Sequence, residues 1–314
     1  MRFIRRLAHV LVIVLALIVG AGAAAIVVSQ TAWFKDWLRG YIVRQANQYL
    51  NGALSIERLK GNLWFGVEME NIGLTIDGNE VVTAKDLGLE YNVFQMVTRG
   101  ISVSSIRLDR PVVHLTRDGN GWTLSRLVKP QQPESEGSRP GRAIAVNEIG
   151  VTDGSVVVDA PVGTSGVEVP KRVDNIAAKL AVRYEPAGYS IGISHISFRS
   201  SEPSLSLNAL SGTISVRDDA VSIDKLTIRT AETSIAIAGS VDHYQTKPAL
   251  GLTISSDRVS LPEISRVLPS LAGVALQPAV ALELAGPLDR LAVSLDVRAS
   301  AGQLTGRLVT DLVG

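Results

Sequence analysis

Gly100-Ile101-Ser102-Val103-Ser104-Ser105-Ile106-Arg107-Leu108-Asp109-Arg110-Pro111-Val112-Val113-His114-Leu115 is the stretch on which the fold turns. Ile101 and Val103, Ile106 and Leu108, and Val113 and Leu115 each stand two apart, with Ser, Arg or His between them. Successive side chains of a strand point to opposite faces, so this spacing makes one apolar face and one polar face. Asp109-Arg110-Pro111 supplies turn chemistry, because proline brings no N–H to a ladder and aspartate satisfies local backbone. The stretch predicts strand, turn, strand.

The same period extends outward in both directions. Towards the N-terminus lie Leu54-Ser-Ile56, Val67-Glu-Met69, Leu74-Thr-Ile76 and Leu87-Gly-Leu89-Glu-Tyr91, with Asp77-Gly78-Asn79 between two of them. Towards the C-terminus, Asp118-Gly119-Asn120-Gly121 precedes 130–142, a Pro/Gln/Ser/Gly-rich loop or linker with almost no apolar content. Alternation then resumes, from Ile144-Ala-Val146 through Leu180-Ala-Val182, Ile191-Gly-Ile193, Ile214-Ser-Val216, Ile235-Ala-Ile237 and Val280-Ala-Leu282 to Val293-Ser-Leu295 and Leu304 to Val313. Ser260, Pro262 and Glu263 start a short helix within 261–271. No long helical pattern follows Gly52, which argues against a doubly wound parallel sheet. The chain ends in mid-pattern, so a sheet edge completed by further chain or by a partner is expected.

Two helices precede the strands. Leu7 to Val28 is an apolar run broken only by His9, with Leu7, Leu11, Leu15, Ile18, Ile26 and Val28 along it. As a helix it would span roughly 33 Å, against about 30 Å of bilayer hydrocarbon. Arg2, Arg5 and Arg6 lie before it and the first acidic residue is Asp36, which predicts a single-pass anchor with a cytoplasmic N-terminus. A cleaved signal peptide is the rival, served by Ala21, Ala23 and Ala25, but the run continues apolar past that site. Thr31 to Asn51 reads as an amphipathic helix, capped by Thr31, with Trp33, Phe34, Trp37, Leu38, Tyr41 and Ile42 forming an interfacial or plugging stripe; an ordinary helix on a core fits equally.

Composition narrows the chemistry. There are 31 Lys and Arg against 30 Asp and Glu, which offers no concentrated basic face for nucleic acid. With no cysteine there is no disulfide, thiolate site or lipid-modified cysteine. The four histidines, His9, His114, His195 and His243, lack metal-ligand spacing, and no Gly-x-Ser-x-Gly elbow, P-loop or dinucleotide fingerprint occurs. Asp153 and Asp218-Asp219 sit where carboxylates cap turns, and Lys171-Arg172 reads as a solvated pair. No enzyme, metal or cofactor is expected.

About fifteen strands with one apolar face each, at about 4.8 Å apiece, make a sheet of roughly 70 Å. That face can be hidden in a sandwich, in a barrel, or in a long gutter whose aliphatic floor a ligand covers. The motifs Leu54-Ser-Ile56-x-x-Leu59-x-Gly61, Ile72-Gly-Leu74-x-Ile76, Gly100 to Leu115 as quoted, and Asp118-Gly-Asn-Gly-Trp122-x-Leu124-x-x-Leu127 resemble the start of AsmA-like proteins, the superfamily that includes TamB. Leu261-Pro-Glu-Ile264, Leu282-x-Leu284-x-Gly286-Pro-Leu288 and Gly302-x-Leu304-x-Gly306 are similar to its recurring units. The resemblance implies a bacterial inner-membrane protein with its bulk in the periplasm, mostly β, whose long, curled antiparallel β-groove moves phospholipid toward the outer membrane. The alternative is an envelope scaffold or outer-membrane protein assembly factor, a closed β-sandwich or a sheet that offers its open edge to a client strand, and the resemblance implies an outer-membrane barrel partner for such a role. The expected segments are an anchor at 1–29, a helix at 30–52, a first groove unit at 53–129, a loop at 130–142 and a second groove region at 143–314. The expected groove lining is Val67, Met69, Leu74, Ile76, Leu87, Leu89, Ile101, Val103, Ile106 and Leu108.

Overall fold

The computed structural model describes residues 26–93, 101–118, 121–129, 143–159 and 167–313. Arg2, Arg5, Arg6, Leu7, Leu11, Leu15 and Ile18 lie outside the described residues, as does the 130–142 segment. Among the described residues no helix is long and apolar enough to cross a membrane. The apolar run enters them at Ile26, whose helical turn ends at Ser29.

Helix α1 (Ala32–Tyr49) begins where Thr31 Oγ1 accepts the Phe34 N–H at 3.3 Å. It ends at Tyr49, two residues short of Asn51, because Leu50 turns extended and bridges Val128, while the Asn51 N–H donates to the Leu127 carbonyl at 2.9 Å. Lys129 Nζ donates to the Asn47 and Gln48 carbonyls at 3.3 and 3.0 Å, closing the helix C-terminus with a positive charge.

The strands are β1 (Ala53–Lys60), β2 (Gly66–Ile76), β3 (Asn79–Tyr91), β4 (Ile101–Asp109), β5 (Val112–Leu115), β6 (Arg117–Asp118), β7 (Gly121–Trp122), β8 (Ile144–Val158), β9 (Arg172–Glu185) and β10 (Gly188–Ser201). After them come β11 (Leu205–Arg217), β12 (Ala220–Thr230), β13 (Ser234–Asp242), β14 (Ala249–Arg258), β15 (Ala279–Pro287), β16 (Leu291–Ala299) and β17 (Gly302–Thr310). Fifteen of them join one sheet, from β1 at one edge to β17 at the other, and β6 and β7 make a separate ribbon. All neighbours are antiparallel except β4 and β5, which pair with β8 in parallel. The reason is connectivity. After β5 the chain returns through β6, β7 and the turn at Thr123–Arg126 to the end of α1, so it adds β8 in the same direction as β4. Strands on either side of 130–142 therefore belong to one hydrogen-bonded sheet.

The two edges differ. Along β1, the Leu54 N–H donates to Asn47 Oδ1 at 2.8 Å, and Arg39 donates to the Ile56 and Glu57 carbonyls at 2.9 and 3.2 Å. Polar side chains of α1 thus satisfy backbone groups that an edge strand leaves unpaired. At the other edge β17 is exposed along nearly its whole length, with Leu304 63% and Val309 67% exposed.

Bulges mark the middle of the sheet. Register shifts interrupt every strand pair from β8 with β9 to β13 with β14, and none interrupts the pairs from β14 to β17. Each extra residue bends its strand and tightens the local right-handed twist. Gly239 sits at such a place, with φ +134°, and a Cβ there would stand 1.9 Å from the Gly251 carbonyl oxygen. Only glycine allows β13 and β14 to approach this closely.

The segment between β14 and β15 holds the short helix α2 (Leu261–Ile264) and the turn Pro269–Leu271. It is tied down by a buried polar cluster. Thr230 and Thr233 hydroxyls donate to Glu263 Oε2 at 2.5 and 2.8 Å, the Ser260 N–H donates to Thr233 Oγ1 at 3.0 Å, and the Ser260 hydroxyl donates to Glu232 Oε2 at 2.6 Å. Removing one partner from a buried network strands the others. Glu263→Ala is expected to cost about 2 kcal/mol and to free the segment. Limited proteolysis reads it as new cleavage between 259 and 278, with the sheet strands still protected.

Candidate functional site

The register aligns aliphatic side chains into rows that run across the sheet. The longest passes from Tyr91 through Val103, Val146, Val182, Ile191, Ile214, Ile223, Gly239, Leu252, Leu284 and Val293 to Leu308. One pair along the strands, Val67, Leu89, Ile106, Ile149, Leu180 and Ile193 form a second row. Met69, Leu87, Leu108, Val151, Ala178, Ile196, Leu210, Ile228 and Ile235 form a third. Directly opposed residues share a face, so each row is a continuous band on one side of the sheet.

Residues between the rows are different in kind. Arg183, Ser190, Ser215, Ser222 and Ser240 are cross-strand neighbours in sequence of strands, on the face opposite the longest row. That face also carries ion pairs. The Lys60 ammonium bonded to Glu70 holds its carboxyl below the usual range, and the hydrogen bond from Arg172 does the same for Asp174. Arg298 and Gln303 act together on Asp296. The carboxylates are half-buried and their basic partners exposed, so one side of the sheet carries charge while the other is aliphatic.

Burial separates two regions of the aliphatic face. Ile56, Leu59, Val67, Leu74, Ile76, Val81 and Ala84, all on β1 to β3, are buried. From β4 to β17 the buried apolar side chains among the described residues are Val216 and Leu291. Val103, Val146, Val182, Ile191, Ile214, Ile223, Leu252, Leu284 and Val293 are all half-buried. The interior of a sandwich would bury such positions fully. The rows beyond β3 instead keep a part-covered aliphatic surface.

Of the ten residues expected to line a groove, Met69, Leu87, Leu89, Val103, Ile106 and Leu108 lie half-buried on the rows, and the backbone of Ile101 stands opposite Ile144. Val67, Leu74 and Ile76 are instead packed into the small core of β1 to β3. The rows reach much further than these ten positions. Val146, Val182, Ile191, Ile214, Ile223 and Leu252 belong to the same surface, and their alternation in the sequence was the available signal.

On α1, Phe34, Leu38 and Ile42 are half-buried, while Trp33, Trp37 and Tyr41 are exposed. The rings of Trp37 and Tyr41 stack with centroids 5.8 Å apart. No residue of α1 is fully buried. Ile26 and Val28, at the end of the apolar run, are exposed too.

Side chains that could carry covalent chemistry are dispersed. Among the described residues no group of three His, Asp or Glu gathers as a metal site. Asp219 Oδ1 accepts the Gln245 N–H at 3.0 Å, and Lys171 pairs with Glu202 at 3.2 Å, both local surface contacts. A recess of about 380 Å³ between Arg183, Tyr189, Ser215 and Ser222 opens beside the polar face and holds no nucleophile and base in contact. No protein-family model, no curated protein and no solved structure matches this chain.

Proposed function

We propose that this protein is a membrane-anchored lipid-binding and lipid-transfer protein, whose aliphatic rows hold acyl chains while headgroups remain in water. The observation that carries the reading is the row from Tyr91 to Leu308, half-buried strand after strand as far as Val293, exposed at Leu308, and lacking the burial of a closed core. An aliphatic band of this length is untenable beside water unless something covers it. Bulges in each pair from β8 to β14 bend their strands, which supports a sheet curled into a groove around that band. The motion is passive: chains slide over Val, Ile and Leu, and no bond is made or broken. The resemblance to AsmA-like proteins supports an inner-membrane anchor, a cytoplasmic N-terminus, a periplasmic sheet, and phospholipid moving toward the outer membrane.

Photocrosslinking tests the reading directly. The full chain carries benzoylphenylalanine in place of Leu252, far from the anchor, or of Thr253 on the opposite face. After irradiation in phospholipid membranes, position 252 is expected to gain the mass of a phospholipid and position 253 is not. Protein-only adducts at 252 would refute it.

A second reading has its own observation, the uncovered edge of β17. An envelope scaffold or assembly factor would add a client strand there by backbone pairing, with an outer-membrane barrel as one such partner. Benzoylphenylalanine at Val309 capturing a protein, with lipid absent at 252, would favour it.

A further inference from the structure

The turn between β1 and β2 is held unusually firmly for a hairpin end. The Tyr91 hydroxyl donates to the Leu63 carbonyl at 2.9 Å, and the Tyr91 N–H donates to the Phe65 carbonyl at 2.9 Å. Burial of that hydroxyl pushes the Tyr91 pKa up, as expected of a phenol committed to a buried hydrogen bond. The turn is also fastened to the end of the apolar run. Trp64 Nε1 donates to Ser29 Oγ at 3.1 Å, Gln30 Nε2 donates to Asn62 Oδ1 at 3.2 Å, and Ser29 is buried.

A turn so constrained nonetheless leaves Phe65 54% exposed. Two residues before Ser29 lies Val27, 68% exposed, and four residues after it, past the break at Gln30 and Thr31, lies Trp33, 72% exposed. Two chain segments far apart in sequence are thus fixed together with aromatic and aliphatic side chains turned outward. Exposed side chains of this kind on a fixed unit are costly in water and favourable at the headgroup level of a bilayer, where Trp and Phe partition. Because Val27 is next to last in the apolar run 7–28, the same bilayer is within reach of all three residues.

We propose that Phe65 and Trp33, with Val27, form a rigid wedge seated in the interface of the anchoring membrane. The inference rests on the anchor reading and adds to it a second, folded contact. Its consequence is positional. Tyr91, which pins the wedge, is also the first residue of the longest aliphatic row. The wedge therefore places the beginning of that row against the acyl region, where a lipid can pass from bilayer to sheet.

The absence of cysteine makes site-directed labelling clean. Single-cysteine variants of the full chain, Ala23→Cys, Phe65→Cys and Asp77→Cys, are labelled with an environment-sensitive fluorophore. They are reconstituted in phosphatidylethanolamine and phosphatidylglycerol vesicles. Asp77 lies at the other end of the β2 strand and is the water control. The expected result is quenching of the label at 65, roughly twofold or more, by lipid spin-labelled near the glycerol, with none at 77. Quenching at 23 by a deep spin label but none at 65 overturns the wedge and leaves the anchor standing. No quenching at 23 overturns the anchor reading and the wedge with it. Disulfide formation between copies at 65 in the membrane overturns the wedge in favour of a dimer contact.

Discussion

Val103→Asp is expected to yield a folded, β-rich protein that no longer gains lipid at position 252, whereas Val81→Asp is expected not to fold. Val81 is 2% exposed at the start of β3, inside the small core that β1 to β3 share. An unpaired carboxylate there costs several kcal/mol, a large part of a domain stability of about 5–15 kcal/mol. Val103 lies half-buried on the long row between Tyr91 and Val146. A carboxylate there keeps part of its hydration, so its cost stays near about 1–2 kcal/mol. On the transfer reading it also places a charge in the path of acyl chains. Circular dichroism and thermal melting read the first effect, and photoadduct yield at 252 reads the second. Equal loss of structure in both variants would mean that the row is a closed core, and the transfer reading would fail.

Gly239→Val is expected to split the sheet between β13 and β14. The new Cβ would begin 1.9 Å from the Gly251 carbonyl oxygen, on a backbone at φ +134° that a branched residue does not adopt. Strain and lost pairing together cost about 3 kcal/mol or more. Gly306→Val is the matched control. Gly306 lies on β17 with nothing within 4 Å of a Cβ and no positive φ, and there valine changes stability by about 0.5 kcal/mol or less. Urea denaturation of the two variants compares them. In membranes the Gly239 variant is expected to gain lipid at Val103 but not at Leu284, since the row is broken between them. Retained adducts at Leu284 would show that the surface does not work as one path.

Much of the architecture was legible in local pattern. Period-two alternation marks strands because side chains of a strand alternate by geometry, and the turns at Asp77-Gly78-Asn79 and Asp109-Arg110-Pro111 fall where β2 and β4 end. Thr31 opens α1 as a hydroxyl cap does in any helix. Three features escaped that kind of reasoning. The helix stops early because Leu50 and Asn51 find partners at Val128 and Leu127, more than seventy residues away. The parallel pairing of β4 with β8 depends on where the chain returns after β7, which no hydropathy period records. The Glu263 network joins a helix cap to two threonines of a distant turn, and each looks like an ordinary surface residue in isolation.

The candidate site divides in the same way. The alternation determined that an apolar face exists and which residue types floor it, because that is a property of each strand alone. Whether a given residue on that face is core or open lining was decided only by tertiary structure. Val67, Leu74 and Ile76 have the same local pattern as Val103 and Ile106, yet the first three are buried and the last two are half-buried. The difference arises from what stands around each strand, α1 beside β1 at one end of the sheet and little above the rows beyond β3. Burial is a relation between segments, so a strand's own sequence can specify which side is apolar without specifying what covers it.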